Sequence, residues 1–432
     1  FCIILFSIYD TSITRKKYLN AMQSVFLSLL LASIFLILVN FFIPKYIVGP
    51  VTIIISFIIQ FTLIAIYKYL FWKYLRKRNI VKVLICGPKE DADNLALKFY
   101  QDKRHLKEIR YIYYEILGLV DNKIFDYIDE VDEVYLTRTL TEKSKNKIML
   151  YCIANKYITC FLVPKTYEIG IVNANVSSMD DSLTFEVKTL HMTLGQRFIK
   201  RTLDIIISLV GLIITFPIFI ICAIIIKLQD HGPVFFKQVR VTRDGKKFLL
   251  IKFRSMIVDA EKETGAVQAG KDDPRITKFG RIIRRVRIDE LPQLINVLKG
   301  EMSFVGPRAL RVEEVEEFIS KKETFKYRLN VKAGITGFAQ TVGNYATSFD
   351  DKLRYDLYYI RKYSIWFDIK IILYTLRIIF SPLSTKSPDE EKYTLAEVAR
   401  TEGYMMRPHN DYVVEMEKVE TRNKRFKLKG AK

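Results

Sequence analysis

The run Ile205-Ile206-Ile207-Ser208-Leu209-Val210-Gly211-Leu212-Ile213-Ile214-Thr215-Phe216-Pro217-Ile218-Phe219-Ile220-Ile221-Cys222-Ala223-Ile224-Ile225-Ile226 decides how the rest of the chain must be arranged. It has the length of a bilayer-spanning helix, which needs about 20 apolar residues. Pro217 lies near its middle, where a proline removes one helical hydrogen bond and kinks the axis. Both ends are basic, with Lys200 and Arg201 before the run and Lys227, Lys237 and Arg240 after it. Basic flanks stay on the cytoplasmic side. A segment flanked this way at both ends enters and returns on one face, as a re-entrant helix over residues 203–228. The alternative is an ordinary kinked span, which would put everything after it on the far side of the membrane.

The bulk composition agrees with a membrane setting. Half of the 432 residues are hydrophobic, yet the formal net charge is +21. Apolar segments with a basic remainder point to anionic lipid, to phosphate-bearing substrates or to nucleic acid. No nucleic-acid-binding motif is present and the basic residues cluster beside apolar runs, so no nucleic acid is expected and membrane lipids are. The five cysteines (Cys2, Cys86, Cys152, Cys160 and Cys222) have no paired ligand spacing, which argues against a disulfide framework or a zinc site.

Towards the amino end, residues 19–43 and 47–71 are each long enough to span a bilayer. Arg15, Lys16 and Lys17 precede the first and Lys73, Arg76, Lys77 and Arg78 follow the second, while the connecting turn carries only Lys45. The pair therefore reads as a hairpin with both flanks cytoplasmic. Neither span is expected to bury a charge, so a conducting or transporting role has little support. Residues 1–9 read as the tail of an earlier helix, and the leading Phe1 suggests a fragment that begins inside a membrane segment. Residues 1–79 are thus read as N-terminal transmembrane helices.

From residue 80 the texture becomes soluble α/β. Residues 81–87 read as a strand ending in glycine, 91–100 as a helix, 116–120, 133–136 and 159–164 as strands, and 148–154 as helical. Such alternation predicts a mostly parallel, Rossmann-like sheet over residues 80–190. Gly87-Pro88-Lys89-Glu90-Asp91 lacks the further glycines of a dinucleotide loop, which favours a scaffold or regulatory role. In the other direction, residues 235–242 and 247–253 alternate across Arg243-Asp244-Gly245, a hairpin with an Asp-Gly turn.

The hairpin leads towards Arg284-Arg285-Val286-Arg287-Ile288-Asp289-Glu290-Leu291-Pro292-Gln293-Leu294. Asp289 suits an N-cap, Pro292 a first turn and Gly300 a C-cap. Leu291, Leu294, Ile295 and Leu298 recur at helical spacing, predicting one buried face and an accessible amino end. Partial positive charge there, with the arginines, would keep Asp289 ionised, and Glu290 beside it can share a metal. Such a site suits phosphoryl chemistry. A capped amphipathic helix with a solvated charge run gives the same local pattern.

Three stretches resemble the bacterial sugar transferase family, the monotopic polyprenyl-phosphate glycosyl-1-phosphate transferases: Asp289-Glu290-Leu291-Pro292-Gln293-Leu294, Gly300-Glu301-Met302-Ser303-Phe304-Val305-Gly306-Pro307-Arg308, and Gly334-Ile335-Thr336-Gly337-Phe338-Ala339-Gln340. The similarity covers roughly residues 196–380, and residues 1–190 resemble the front half of the family's large members. Ala309 and Ala333 stand where the family usually has proline, which should loosen a loop.

The resemblance implies a membrane α+β protein. Its parts would be N-terminal transmembrane helices, a Rossmann-like domain, and a catalytic domain over residues 191–381 with a re-entrant helix and interfacial amphipathic helices at 350–380. It further implies transfer of a sugar 1-phosphate from a UDP-sugar to undecaprenyl phosphate, with Asp289 as nucleophile, Glu290 as its partner and Mg²⁺ held by both. Arg284 and Arg308, and less directly Lys252 and Arg254, are the implied phosphate-binding residues. For the last two a structural salt bridge is an equal alternative. The expected location is the bacterial inner membrane with the catalytic domain in the cytoplasm; a homo-oligomer is left open. Residues 382–432 read as a polar, flexible tail. Two other function classes stay open on sequence alone: a membrane-bound scaffold with a vestigial module, against which the intact Asp289, Glu290 and Arg308 argue, and a polytopic lipid-phosphate enzyme, against which spans with no expected buried charge argue.

Overall fold

The computed structural model describes residues 49–77, 81–101, 107–116, 118–155, 158–172, 174–179, 182–187, 189–258, 260, 273–342, 348–379 and 394–418, with scattered helical positions between 22 and 40. The expected helix tail at 1–9 lies outside these residues, as does most of the expected first span. Helix α1, Pro50–Lys77, is long enough to cross a bilayer and mostly apolar over Pro50–Phe71, but it buries Lys68, against the expectation that the spans bury no charge.

Two compact units follow from the packing, one of Phe1–Lys165 with Glu391–Lys432 and one of Thr166–Glu390. In the first, strand β1 (Val81–Gly87) leads through α2 (Lys89–Gln101) to β2 (Lys107–Tyr114), then β3 (Glu133–Leu136), α3 (Glu142–Ala154) and β4 (Thr159–Leu162). β1 is buried at six of its seven residues, the pattern of a central parallel strand with both faces covered. The expected strand at 116–120 is instead a turn closed by an Ile116–Leu119 bridge. The real second strand lies just before it.

The second unit opens at Thr166, not at 191. Ile169 sits in its core, and Val172 O and Leu190 O accept from Arg361 and Asn330 at 2.9 and 3.0 Å. These contacts draw residues 166–190 away from the Rossmann-like part. The unit carries the hairpin β5 (Asn175–Met179) and β6 (Ser182–Glu186), then helix α4 (Leu194–Asp230) and the hairpin β7 (Phe235–Val241) and β8 (Lys247–Phe253). α5 (Lys278–Arg285), α6 (Gln293–Lys299), β9 (Ser303–Val305), α7 (Val312–Lys321), β10 (Gly334–Thr336), α8 (Phe349–Arg361) and α9 (Ile365–Ile379) complete it.

The 37-residue α4 begins with a capping box at Thr193 and Gln196. Its helical assignment runs unbroken through Pro217, so the expected break is not an interruption of the helix. Its apolar middle is exposed, with Ile213, Ile214 and Phe216 more than 60% accessible. Its two ends are both fastened to the same unit. At the start, Lys200 pairs with Asp368 at 2.6 Å, and Arg201 donates to Val297 O and Leu298 O at 2.6 and 2.7 Å. Asp204 accepts from Ser303 Oγ and Phe304 N at 3.0 and 2.9 Å. At the finish, Cys222 and Ile226 pack on Phe253 and Ile283, and Asp230 takes the Arg254 guanidinium. The aromatic run at 350–380 divides: Tyr359 and Tyr363 are buried around Asp368, while Trp366 is exposed. Tyr359 and Tyr363, being buried, do not serve the expected interfacial role.

The chain then returns to the first unit. Residues 382–393 and 419–432 lie outside the described set, but between them run α10 (Leu395–Thr401), β11 (Tyr404–Pro408) and β12 (Val413–Lys418). β12 pairs antiparallel with β2, giving the sheet order β11-β12-β2-β1-β3-β4. Val413, Met416, Leu395 and Ala399 are buried there. This corrects the reading of 382–432 as a flexible tail, because the segment supplies two strands and a helix to the sheet.

Candidate active site

The acidic pair sits on a short 3₁₀ turn, Ile288–Glu290, between α5 and α6. α5 is capped by Thr277, whose hydroxyl accepts from Gly280 N at 2.9 Å. A Cβ at Gly280 would collide with Ser255 O, so only glycine lets the helix approach the end of the β7–β8 hairpin. After α5 the chain reverses through Arg287, a left-handed residue with φ 57° and ψ 23°. Such a conformation is uncommon for a side chain without a short polar group. Asp289 is therefore not the N-cap of α6; Pro292 occupies that position with no side-chain cap, while Gly300 closes the helix as expected with φ 86°.

α6 buries Gln293, Leu294, Asn296 and Val297, a face rotated from the one the leucine spacing predicts. Asn296 is the reason. It is fully buried, accepts from Ile251 N at 3.0 Å, and donates to Leu249 O and Glu301 Oε2 at 2.7 and 2.6 Å. These bonds fix α6 against β8 and so bring Lys252, on that strand, to the acidic turn.

The third wall is built by close backbone packing. β9 and β10 run parallel, and a Cβ at Gly306, Gly334 or Gly337 would strike backbone atoms of the neighbouring segment. Arg308 follows directly, bridged to Gly334, and its carbonyl accepts from Arg328 at 3.0 Å. Ala309 and Ala333 are buried with Val297 and Met302. Ala333 N donates to Thr242 Oγ1 at 3.2 Å and its carbonyl accepts from Ser303 N at 2.8 Å. A proline there could not make the first bond, so alanine fastens this loop rather than loosening it.

Three cations converge on Glu290: Lys252 at 3.4 Å, Arg308 at 3.6 Å and Arg287 at 3.7 Å. Burial alone would raise this carboxyl, but Lys252, Arg308 and Arg287 together hold it down at about 2. Asp289 goes the other way. Burial pushes it up to about 6 and the charge on Glu290 adds to that, against the pull of Lys252, Arg284 and Arg287. Burial also lowers the Lys252 ammonium, with Glu290 opposing. The two adjacent carboxyl groups are thus shifted in opposite directions.

The six expected site residues are not all gathered. Asp289, Glu290, Lys252 and Arg308 share one cluster, and Arg284, on the last turn of α5, acts on Asp289 through its charge. Arg254 lies elsewhere: its guanidinium holds both Asp230 oxygens and Pro233 O, pinning the end of α4 to β8. Arg287 joins the cluster unannounced; its only sequence signal is a positive charge two residues before the pair. Among the described residues no group of three or more His, Cys, Asp or Glu converges as a metal site. A cavity of about 570 Å³ lined by residues including His191, Asp244 and Tyr327 holds none of the cluster, whose charges rather than its volume mark the site.

A family model described as bacterial sugar transferase matches residues 195–382. The chain is 34% identical over 252 residues to a UDP-glucose:undecaprenyl-phosphate glucose-1-phosphate transferase of Escherichia coli strain K12, covering 57% of this chain and 54% of that one. It is 43% identical over 234 residues to a galactosyl transferase of Streptococcus agalactiae, covering 48% and 51%. It is 44% identical over 185 residues to a putative undecaprenyl-phosphate N-acetylgalactosaminyl 1-phosphate transferase of Bacillus subtilis, covering 41% of this chain and 93% of that one. The chain spans about half the length of the first two.

Proposed function

The chain belongs to the bacterial sugar transferase family, and from that premise we propose that it transfers a sugar 1-phosphate from a UDP-sugar to undecaprenyl phosphate at the cytoplasmic face of the inner membrane. The product is a polyprenyl-diphosphate sugar, the first lipid-linked unit of a surface polysaccharide. The observation that carries this reading is the asymmetric pair: Glu290 locked ionised among three cations, with Asp289 beside it pushed upward.

In the first step an Asp289 carboxylate oxygen bonds to the sugar-bearing phosphorus. The bond from that phosphorus to the bridging oxygen breaks, and UMP leaves with the electron pair. In the second, a phosphate oxygen of undecaprenyl phosphate attacks the same phosphorus and expels Asp289. A carboxylate suits both steps, since its acyl phosphate stays reactive. Arg308, half-exposed and only loosely paired, turns from Glu290 to the donor phosphates, and its planar fork grips two oxygens at once. Lys252, Arg287 and Arg284 supply the remaining positive field. Mg²⁺ needs only one or two protein carboxylates when substrate phosphates complete its shell, so Asp289 and Glu290 fit it. Held there, it would neutralise charge on the diphosphate.

The re-entrant topology is part of this proposal. Both ends of α4 are fastened to one unit, and a straight path of about 55 Å through a bilayer would separate them. The relatives' names specify glucose, galactose and N-acetylgalactosamine, so kinship does not choose the sugar. The test is UMP release by the detergent-solubilised protein from a panel of UDP-sugars, with undecaprenyl phosphate and Mg²⁺. One donor should release UMP, and mass spectrometry without acceptor should find a phosphosugar on Asp289. UMP release that survives Asp289→Asn would remove the adduct from the mechanism.

A further inference from the structure

At the carboxyl end of α6, away from the acidic turn, two basic residues, Arg201 and Lys332, meet. Arg201 gives both terminal nitrogens to Val297 O and Leu298 O, the open carbonyls of the last turn. Arg201 Nη2 and Lys332 Nζ both lie beside Gly300, at 3.4 and 3.6 Å from where a Cβ would stand. Lys332 has no hydrogen bond or ion pair among the described residues. The surrounding groups are already committed. Lys200 is paired with Asp368, Asp204 accepts from Ser303 and Phe304, and Arg243 is 3.1 Å from Asp244.

We propose that Arg201 and Lys332 form a site for the phosphate of an anionic membrane-lipid headgroup. The position selects lipid over other anions. Arg201 stands one helical turn before Ile205, where the exposed apolar stretch of α4 begins. Phe198 and Leu194, on the turns before it, are 74% and 82% exposed. Cations at that level of a membrane helix meet the phosphates of the surface. The cluster's interior favours the same ligand. Burial, then the charges of Arg201 and Arg243, press the Lys332 ammonium downward, and an anion between them relieves that crowding. A headgroup held at this point would also seat the carboxyl end of α6, whose amino side follows the acidic turn.

The inference rests on the membrane reading of α4, but its test does not require turnover. Purified full-length protein in a neutral detergent would be heated with short-chain phosphatidylglycerol, with the matching phosphatidylcholine, or with inorganic phosphate. The anionic lipid should raise the melting temperature of the parent and of Lys332→Arg. For Lys332→Met the concentration giving half that shift should rise about tenfold, the loss of one charge-assisted contact. UMP release should stay near that of the parent. An equal shift with inorganic phosphate assigns the pocket to a free anion and overturns the lipid, as does an undiminished response of Lys332→Met. Loss of UMP release with an intact lipid response would place Lys332 in the substrate path and overturn it too. Absence of UMP release from the parent protein touches only the transferase reading.

Discussion

Two charged clusters in the catalytic unit are built from the same residue types and behave oppositely. In the first, Lys200, Asp368, Arg328 and Asp356 are buried, and their pairs close at 2.6 and 2.9 Å. Tyr359 donates to Asp368 at 2.8 Å, and the Lys200 ammonium lies over the rings of Tyr359 and Tyr363. In the second, the acidic turn, contacts are 3.4 to 3.7 Å and one partner, Arg308, is half-exposed. Closed pairs hold helices together; loose ones leave donors that a ligand can take. Distance and closure, not charge count, separate structure from chemistry here.

The sharpest way to break that contrast is Asp289→Asn. Turnover should fall on the order of 10⁴-fold or more, as when a covalent nucleophile is removed. Stability should move the other way. The folded carboxyl is raised above its ordinary 3.8 to about 6, so its protonated form is favoured by folding. That contribution is present below about pH 4 and is lost as pH rises through 6. At neutral pH the ionised group therefore strains the fold. The amide should stabilise by roughly 1–2 kcal/mol, read as a higher melting temperature in chelator at pH 7.5 and as no gain at pH 4. A lower melting temperature at neutral pH would show the pair to be structural after all.

Lys200→Met should do the reverse. It leaves Asp368 buried and unpaired, which costs about 3–5 kcal/mol. Thermal unfolding should show an earlier transition for the catalytic unit, partly restored when Asp368→Leu is added. Because Lys200 lies outside the acidic cluster, UMP release per folded molecule should change little at low temperature. Arg308→Ala ranks next, with a loss of about 3–4 kcal/mol in transition-state stabilisation and almost none in melting temperature. Arg308→Lys should recover only part of the rate, since a point charge lacks the fork. A large loss of stability in Arg308→Ala would move that arginine into the structural class.

The contrast also explains what the sequence could disclose. Strand β1 was legible because a parallel strand buried on both faces needs continuous apolar residues, and the β7–β8 hairpin because Asp244 and Gly245 both adopt positive φ, at 59° and 73°. Strand β2, Lys-Glu-Ile-Arg-Tyr-Ile-Tyr-Tyr, was hidden by charges at its start and polar rings along it. β12 was hidden more deeply. Glu415, Glu417 and Lys418 stand among its two buried residues, Val413 and Met416, so it reads as polar, and its partner β2 lies some 300 residues earlier. Asp289 and Glu290 announced themselves as neighbours, but their opposed electrostatics depend on Lys252 and Arg308, which only folding brings near. Arg254 shows the converse, a well-placed arginine in sequence that the fold spends on Asp230.

Arg287 offers the finest test, because it bears both strain and charge. Its left-handed backbone favours glycine, while its guanidinium helps hold Glu290 ionised. Arg287→Ala and Arg287→Gly remove the same cation, yet glycine also releases the backbone. The glycine variant should be more stable than the alanine variant by about 1 kcal/mol. Both should lose the same few-fold of turnover, since neither supplies a charge. Equal stability would mean that the turn is not strained, and arginine would then be no compromise. A glycine variant more active than alanine would shift the role of residue 287 from charge to loop geometry, leaving Lys252 and Arg308 alone to set the state of Glu290.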